Sequence, residues 1–386
     1  MTSDNHPEEG ASRRLHVLHV SASGSGAVGA VALGYVRDQV ARGWNVSVAC
    51  SSHGFLGYDA RAAGARTHWW QAEREPNRRV VGEYVSLSRI IKDADPDVVH
   101  LHSSKAGLVG RLVLRERIPT VFQPHAWSYL AARGGVRAAS LRWERFATRW
   151  TAITVCVSDA ERVAGGSLGI GGRTVVVRNG VELTSFRPAS GRDRVAARKE
   201  LGLVDVPTVV CIGELTPQRG QEDLLSAWPH VIDELPHAQL VLVGDGPERA
   251  RLSRAARELP GVVMVGERSD VRSWLAAADV VAVPSRWDGM PLVPLEAMAS
   301  ARSVVATSVS GVLESVPADA GAIVPPQDPS EMAAALSLRL QDPSRADDEG
   351  WAGRAHVEAH HDVTTSAHEL ARVYLRLVGE HRGRQG

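Results

Sequence analysis

The chain has 386 residues, enough for about two domains of ordinary size. Its 44 basic residues balance its 44 acidic residues, which argues against a protein that binds nucleic acid through a general surplus of positive charge. Hydrophobic residues make up 44% of the chain, as in ordinary globular proteins, and no run of apolar residues is long enough to span a bilayer.

The ends of the chain and its cysteines indicate a compartment. Residues 1–14 are polar and lack the apolar core of a signal peptide, so we expect a disordered tail on a cytoplasmic protein. Cys50, Cys156 and Cys211 each lie in an apolar run and form no C-x-x-C pair. We expect three buried, reduced thiols.

Short runs of Val, Ile and Leu alternate with segments of helical period, a pattern typical of βαβ units in a parallel sheet. In the first half, strands are predicted at 15–20, 45–50, 66–70, 97–102, 119–124 and 151–157. In the second half, they are predicted at 207–213, 238–243, 261–265, 279–283, 303–306 and 321–324. The predicted fold is therefore α/β, with two doubly wound, Rossmann-like domains that face a central cleft.

A segment rich in Gly, Pro and Ser at 178–194 is the expected hinge between these domains. We predict one domain over 15–183, a second over 184–362, and a last segment, 363–386, that returns to the first domain. Its apolar residues mark one face of a helix at about 364–378. Ligands of such domains bind beyond the carboxyl ends of the strands, so the loops that follow the strands are candidate sites.

The first of these loops contains Gly24, Gly26 and Gly29, which spell G-x-G-x-x-G at a strand-to-helix turn. A dinucleotide site would also need an acidic residue at the end of the second strand, but that strand ends in VACSSHG. The alternatives are a structural turn or, as we favour, a close approach of the main chain to another phosphate or to a sugar. Gly26 is the candidate contact.

Several motifs carry a resemblance to a known family. They include PDVVHLHSSKAG (96–107), TVFQPHAW (120–127), RNGVELTSF (178–186), GELTPQRG (213–220), VGDGP (243–247), VGERSD (265–270) and DGMPLVPLEAMA (288–299). Together and in this order they resemble the retaining nucleotide-sugar glycosyltransferases of family 4, which have the GT-B fold. The resemblance implies that the first domain binds an acceptor and that the second binds a nucleotide diphosphate sugar as a co-substrate. Because the sequence has no convincing D-x-D motif and Arg219 can supply positive charge, no metal is expected.

The resemblance assigns roles to two acidic residues. Glu296 would hydrogen-bond the nucleotide ribose, and Asp288, where the family normally has Glu, would lie near the transferred sugar. The helix that starts near 291 would offer main-chain N–H groups around Gly289, Met290 and Leu292 to the diphosphate. A glycosidase acid/base pair is the alternative, but Asp288 in a loop and Glu296 inside a helix should not face one glycosidic bond.

Arg219 stands where the family has a diphosphate-binding Lys, and its guanidinium could bind phosphate oxygens in bidentate fashion. A second family cation aligns with Glu214, and Arg286 is a candidate replacement. The remaining contacts implied for the donor are the glycine turns Gly213, Gly244 and Gly246, and the base neighbours Gly266, Glu267 and Arg268.

His125 follows a strand where the family histidine contacts the transferred sugar, although a lone histidine is often structural. His100 and His102 form H-x-H, but no third ligand has a useful spacing, so no metal is expected. His102 and Lys105 could instead face the acceptor. Asp93 and Asp95 are expected at a helix end rather than in a metal-binding D-x-D motif.

The segment 133–150 has five arginines and one glutamate, with Val136, Trp143, Ala147 and Trp150 on one helical stripe. It could lie on an anionic membrane or pack its tryptophan face on its own domain.

The predicted function is transfer of a sugar, from a UDP-sugar by preference or a GDP-sugar, to a hydroxyl group of a glycan, a lipid-linked acceptor or a natural product. The alternatives are a sugar-nucleotide epimerase, a non-catalytic sugar-nucleotide binding protein and, less favoured, an NAD(P)-binding oxidoreductase.

Overall fold

The computed structural model describes residues 14–72 and 79–385; apart from Arg14, the predicted tail lies outside this range. The first half forms a seven-stranded sheet in the order β3-β2-β1-β4-β5-β6-β7. Its strands are β1 (His16–Ser21), β2 (Asn45–Cys50), β3 (Arg66–Trp69), β4 (Val98–His102), β5 (Thr120–Gln123), β6 (Ile153–Cys156) and β7 (Thr174–Val176). Every pair of neighbouring strands is parallel.

Helices cover this sheet and connect its strands. They are α1 (Gly26–Ala41), α2 (Leu56–Ala62), α3 (Val80–Ala94), α4 (Ser103–Leu114), α5 (Ser128–Ala131), α6 (Gly134–Ala147) and α7 (Asp159–Ser167). Asp93 lies in the last turn of α3 and Asp95 follows it as the C-cap, so this pair ends a helix as expected.

The second half forms a six-stranded parallel sheet in the order β10-β9-β8-β11-β12-β13. Its strands are β8 (Thr208–Ile212), β9 (Gln239–Val243), β10 (Val262–Gly266), β11 (Val280–Val283), β12 (Ser303–Thr307) and β13 (Gly321–Val324). Its helices are α8 (Gly191–Leu201), α9 (Gln221–Glu234), α10 (Arg249–Arg257), α11 (Arg272–Ala277), α12 (Leu292–Ala299), α13 (Ser310–Ser315), α14 (Pro329–Gln341) and α15 (Pro343–His360). These two parallel sheets confirm the predicted pair of Rossmann-like domains.

The central strands are apolar because helices cover both faces of each sheet. In β9 and β11 every residue is buried. The twelve predicted strands agree with the observed bounds to within two residues, whereas β7 had no predicted range. The three cysteines are free and buried, as expected.

The last helix, α16 (Val363–Gln385), is longer than the predicted 364–378 and lies against α1 of the first domain. Leu370 and Tyr374 are completely buried there, and the Tyr374 hydroxyl is 2.6 Å from Nδ1 of His100 on β4. The chain thus crosses from the second domain back to the first before it ends.

The basic helix α6 differs in part from its prediction. Ala147 is buried, and Trp143 and Trp150 are half-buried, but Val136 is exposed and does not belong to the packed stripe. The inward face instead carries Leu141 and Glu144.

Among the described residues, no helix combines the length and the apolar character that a membrane span requires.

Candidate functional site

The two domains meet at the carboxyl ends of their strands. Ser158 Oγ donates to the carbonyl of Gly289 at 3.1 Å, and Asn179 Nδ2 donates to the carbonyl of Met290 at 2.7 Å. A methyl group on Gly289 would stand only 3.0 Å from the main-chain carbonyl of His125. The structure therefore brings His125 of the first domain beside the Asp288–Met290 loop of the second, as the sequence predicts.

Asp288 and Arg219 form an ion pair. Asp288 is buried, and its second carboxylate oxygen accepts from the amide of Gly289 at 2.9 Å. Gly220, next to Arg219, has a φ of +67°, and a side chain there would overlap the carbonyl of Pro284. The resemblance implies separate roles for Asp288 and Arg219, but in the structure each neutralises the charge of the other.

Helix α12 begins beside this pair, and no side chain of the described residues caps its N-terminus. Pro291 precedes the helix, so the amides of Leu292 and Val293 are its first main-chain donors. Such donors, together with the positive end of the helix dipole, attract an anion.

Glu296 lies in the second turn of α12, while Asp288 precedes the helix, as expected. The Glu296 side chain is half-buried, and its carboxyl group forms no hydrogen bond or ion pair with the other described residues, whereas its main-chain carbonyl accepts from Ser300. Burial raises the pKa of Glu296 to about 7. A ribose hydroxyl could donate to this unpaired carboxyl group.

The glycines after β8 and β9 bring two loops into main-chain contact. Gly244 has a φ of +152°, and a side chain there would overlap the carbonyl of Gly213. A methyl group on Gly246 would stand 2.6 Å from the carbonyl of Leu215. These glycines consequently have a structural reason to be present, whether or not a ligand also approaches them.

The predicted base neighbours lie at the end of β10. Gly266 is the last residue of that strand, and Glu267 and Arg268 are exposed in the following loop. The Arg268 guanidinium lies 5.9 Å from the ring centre of Trp274.

Arg286 does not serve as the free second cation that the sequence suggested. Its Nε and Nη2 donate to the carboxylate of Asp223 at 2.8 and 2.7 Å, and Nη2 also reaches Glu222 at 3.1 Å. These acids raise the pKa of Arg286 and neutralise its charge. Glu214, at the aligned position, is exposed.

His125 is held in an unusual main-chain conformation, with a φ of +58°, and Ala126 follows with a φ of +150°. Such non-glycine conformations cost on the order of 1–3 kcal/mol and cluster at functional sites. The side chain is half-buried, and burial lowers its pKa to about 3. A neutral imidazole therefore faces the cleft.

A third histidine near His100 and His102 escaped the sequence reasoning. His19 on β1 places a ring nitrogen within 4.8 Å of ring nitrogens of the other two, so the expectation that no third candidate ligand exists was wrong. However, the rings of His100 and His102 stack with centres 4.0 Å apart. In-plane lone pairs of stacked rings run side by side instead of converging on one ion.

Lys105 does not face the acceptor side of the cleft. It is buried and pairs with the buried carboxylate of Glu83 at 2.8 Å.

Gly26, the candidate contact in the first loop, is the first residue of α1 and has a φ of +68°, with open space where a side chain would begin. The neighbouring Gly24 packs directly on the carbonyl of His53, which explains one glycine of the motif structurally.

Two carboxylates at the domain contact were also missed. Glu161 is buried near Asp288, and burial raises its pKa to about 8. Glu314, on α13, accepts from the amides of Asp159 and Ala160 at 2.9 and 2.7 Å and so caps α7 of the other domain. The S-x-x-E pattern at 158–161 could have indicated a helix start, but no local signal marks Glu314.

The site thus combines an arginine, an uncapped helix N-terminus, an unpaired carboxyl group and a neutral imidazole around one cleft. The first two can bind phosphate oxygens, and the last two can exchange hydrogen bonds with sugar hydroxyls.

Comparison with known proteins covers both domains. The family model of Glycosyltransferase Family 4 matches residues 15–185, and that of Glycosyl transferases group 1 matches residues 206–342. The Anabaena protein HepE, in a crystal structure with UDP and glucose, superimposes with a TM-score of 0.80 at 20% identity over 93% of this chain and 99% of that one. At 20% identity this structural similarity shows that the two proteins share a fold, and no more than that.

Two curated relatives are similar over part of their length. A GDP-mannose-dependent monoacylated alpha-(1-6)-phosphatidylinositol monomannoside mannosyltransferase of Corynebacterium glutamicum is 38% identical over 47% of this chain and 50% of the relative. A UDP-Gal:alpha-D-GlcNAc-diphosphoundecaprenol alpha-1,3-galactosyltransferase of Escherichia coli is 28% identical over 59% of this chain and 62% of the relative. The matches therefore span between half and two thirds of the length of these relatives.

Proposed function

Because the chain is a glycosyltransferase of the family 4 type, we propose that it transfers a hexose from a nucleotide diphosphate donor to a hydroxyl group of a glycan, lipid-linked or natural-product acceptor. The donor lies on the second domain and the acceptor on the first. The observation that carries this proposal is the convergence of His125 on the Asp288–Met290 loop, beside Arg219 and the uncapped start of α12.

In this proposal the donor diphosphate occupies the space in front of Arg219 and the amides of α12, which stabilise the charge that develops as the glycosidic bond breaks. Glu296 accepts from the ribose, while His125 and Asp288 orient the sugar. The acceptor oxygen attacks the same face that the diphosphate leaves, and the leaving phosphate takes the acceptor proton. The anomeric configuration is then retained.

The nucleotide of the donor is UDP or GDP. One relative is named as GDP-mannose-dependent and the other as using UDP-Gal. Residues 266–268 would contact the base through main-chain groups, which leaves no side-chain signature for UDP over GDP. We retain UDP as the first choice and test both. Calorimetry with UDP and GDP identifies the base. If neither nucleotide binds detectably, the proposed donor site is contradicted.

Transfer without a divalent metal is part of the proposal, because the amides of α12 and the N–H groups of Arg219 other than the Nη1 that contacts Asp288 can hold the diphosphate oxygens. Activity should therefore persist in EDTA. Loss of activity in EDTA that Mn²⁺ or Mg²⁺ restores would overturn this part.

We further propose that α6 rests on an anionic membrane that holds a lipid-linked acceptor. The five arginines of 133–150 are exposed, while its one acid, Glu144, turns inward to the buried Arg111 at 2.8 Å. The outer face is thus wholly basic and also exposes Phe146 and Val136. Basic faces of this kind bind anionic lipid surfaces and are released by salt.

Sedimentation with phosphatidylglycerol vesicles tests this face. The double variant Arg137→Ser/Arg142→Ser should bind weakly, whereas Arg254→Ser/Arg257→Ser, which removes equal charge from the exposed side of α10, should bind as the wild type does. Equal binding by both double variants would show that α6 is not the membrane face.

A further inference from the structure

A chain of buried polar side chains runs from the cleft into the first domain. His19 on β1 lies opposite His100 on the neighbouring strand β4, and His102 lies two residues further along the same strand. All three are completely buried. Buried polar groups of this kind are costly unless hydrogen bonds satisfy them, so their partners define what the cluster does.

The hydrogen bonds form one continuous line. Nε2 of His125 is 3.1 Å from Nδ1 of His102, and Nε2 of His102 is 2.9 Å from Nδ1 of His19. Nε2 of His19 is 3.0 Å from Oε1 of Gln39 on α1. The line therefore starts at the cleft and ends on an amide carbonyl.

Burial keeps these rings neutral, since it lowers the pKa of His19 to about 4 and that of His102 well below its usual value. A neutral imidazole has one donor nitrogen and one acceptor nitrogen. In an unbroken line of neutral rings, the group at one end consequently decides the tautomer of every ring. An acceptor at the inner end forces each ring to donate through Nε2 and to accept through Nδ1.

Tyr374 of α16 lies beside that inner end. Burial raises the pKa of Tyr374 well above its usual value, and the phenol lies beside the Gln39 amide group. The Gln39 atom that faces His19 is the carbonyl oxygen Oε1, which can only accept a hydrogen bond. The Tyr374 hydroxyl also lies 2.6 Å from Nδ1 of His100.

We propose that His102, His19 and Gln39 are positioning residues that hold His125 in the tautomer with its proton on Nε2. The Nδ1 lone pair of His125, which has no partner among the described residues, is then an acceptor for a hydroxyl group in the cleft. That hydroxyl belongs to the transferred sugar, and this last step rests on the proposed function. In the opposite tautomer Nδ1 of His125 would carry the proton. It would then donate a hydrogen bond and could not accept one from the same hydroxyl group.

Nitrogen-15 NMR of the ring nitrogens in the full chain without ligand tests the tautomer directly, because protonated and unprotonated ring nitrogens resonate far apart. The resonances of His125 are assigned by their loss in His125→Asn. The wild type should show His125, His102 and His19 protonated at Nε2. A proton on Nδ1 of His125, or a zinc ion bound by His19, His100 and His102, would overturn the proposal.

Gln39→Met removes the terminal acceptor at nearly constant volume. Its matched control is Gln123→Met, which removes a buried amide from β5 that makes no hydrogen bond to the line. Gln39→Met should give a mixture of His125 tautomers and lower kcat/KM by about 2- to 10-fold, the worth of one neutral hydrogen bond, at unchanged nucleotide affinity. Gln123→Met should keep the single tautomer and the wild-type rate.

An unchanged His125 tautomer in Gln39→Met, or equal effects of both variants on rate and tautomer, would refute the role of Gln39. The wild-type spectrum decides the tautomer even if Gln39→Met does not fold. The outcomes also separate the two proposals. A protein with the expected tautomer but without sugar transfer would contradict the proposed function and leave the positioning line intact.

Discussion

Replacing Glu161 with Gln is expected to make the protein more stable at alkaline pH than the wild type. Glu161 is 3% exposed, and its Oε2 accepts from the amide of Val157 at 2.8 Å. Its Oε1 has no hydrogen-bond partner among the described residues. Burial, opposed by the Val157 bond and reinforced by the nearby Asp288 charge, raises its pKa from 4.5 to about 8.

The direction of the pH effect follows from proton binding. Between pH 4.5 and about 8 the folded protein keeps the Glu161 proton that the unfolded chain releases, so the free energy of unfolding decreases as the pH rises through this window. Each unit of pKa corresponds to about 1.4 kcal/mol, so the full decrease is on the order of 5 kcal/mol. A glutamine side chain at this position stays neutral and avoids the loss.

Urea unfolding followed by tryptophan fluorescence at several pH values between 5 and 8.5 measures the effect. The difference in unfolding free energy, Glu161→Gln minus wild type, should rise with pH by several kcal/mol. Glu358→Gln, which removes an exposed carboxylate on α15, should show no comparable rise. A Glu161→Gln difference that stays constant across this range would refute the reasoning.

Three further substitutions test the cleft. Arg219→Ala should lower kcat/KM by roughly 10- to 150-fold, the worth of a charged hydrogen bond, whereas Arg286→Ala should mainly lower the urea midpoint of unfolding. If steady-state kinetics and urea unfolding show the reverse pattern, the proposed position of the diphosphate at Arg219 is wrong. Glu296→Gln should weaken binding of the bare nucleoside diphosphate, whereas Asp288→Asn should leave that affinity nearly intact and lower kcat; calorimetry showing the opposite would reverse their roles. Glu314→Ala should lower kcat at unchanged nucleotide affinity, because the cap that it loses, worth about 0.5–2 kcal/mol, holds the domains together; scattering profiles and rates equal to those of the wild type would show that this contact does not matter.

The sequence predicted the strands well because both faces of each sheet are covered. Continuous apolar runs such as those of β9 and β11 are then required, and they are visible without any tertiary information. The strand order also placed the loops of His125 and Asp288 at the carboxyl edges of their own sheets, since parallel strands end at a common edge, whereas the family resemblance assigned these residues and Glu296 to one cleft.

The partners of the charged residues could not be predicted, because they come from distant parts of the chain. Arg286 is neutralised by Asp223, 63 positions away, and Lys105 is buried against Glu83. The line from His125 to Gln39 depends on the pairing of β1 with β4, which the spacing of H-x-H alone does not reveal. A residue type at the right end of a strand therefore indicates a site, but it does not indicate which charges remain free there.

The most direct test of the proposed sugar transfer is mass spectrometry of an acceptor panel incubated with UDP- and GDP-hexoses, with the released nucleoside diphosphate measured in the same reaction. We predict that an acceptor gains the mass of one hexose for each nucleoside diphosphate released, and that Arg219→Ala lowers both together. Conversion of the donor to an epimer, or nucleotide release without any gain in acceptor mass, would contradict sugar transfer at this cleft.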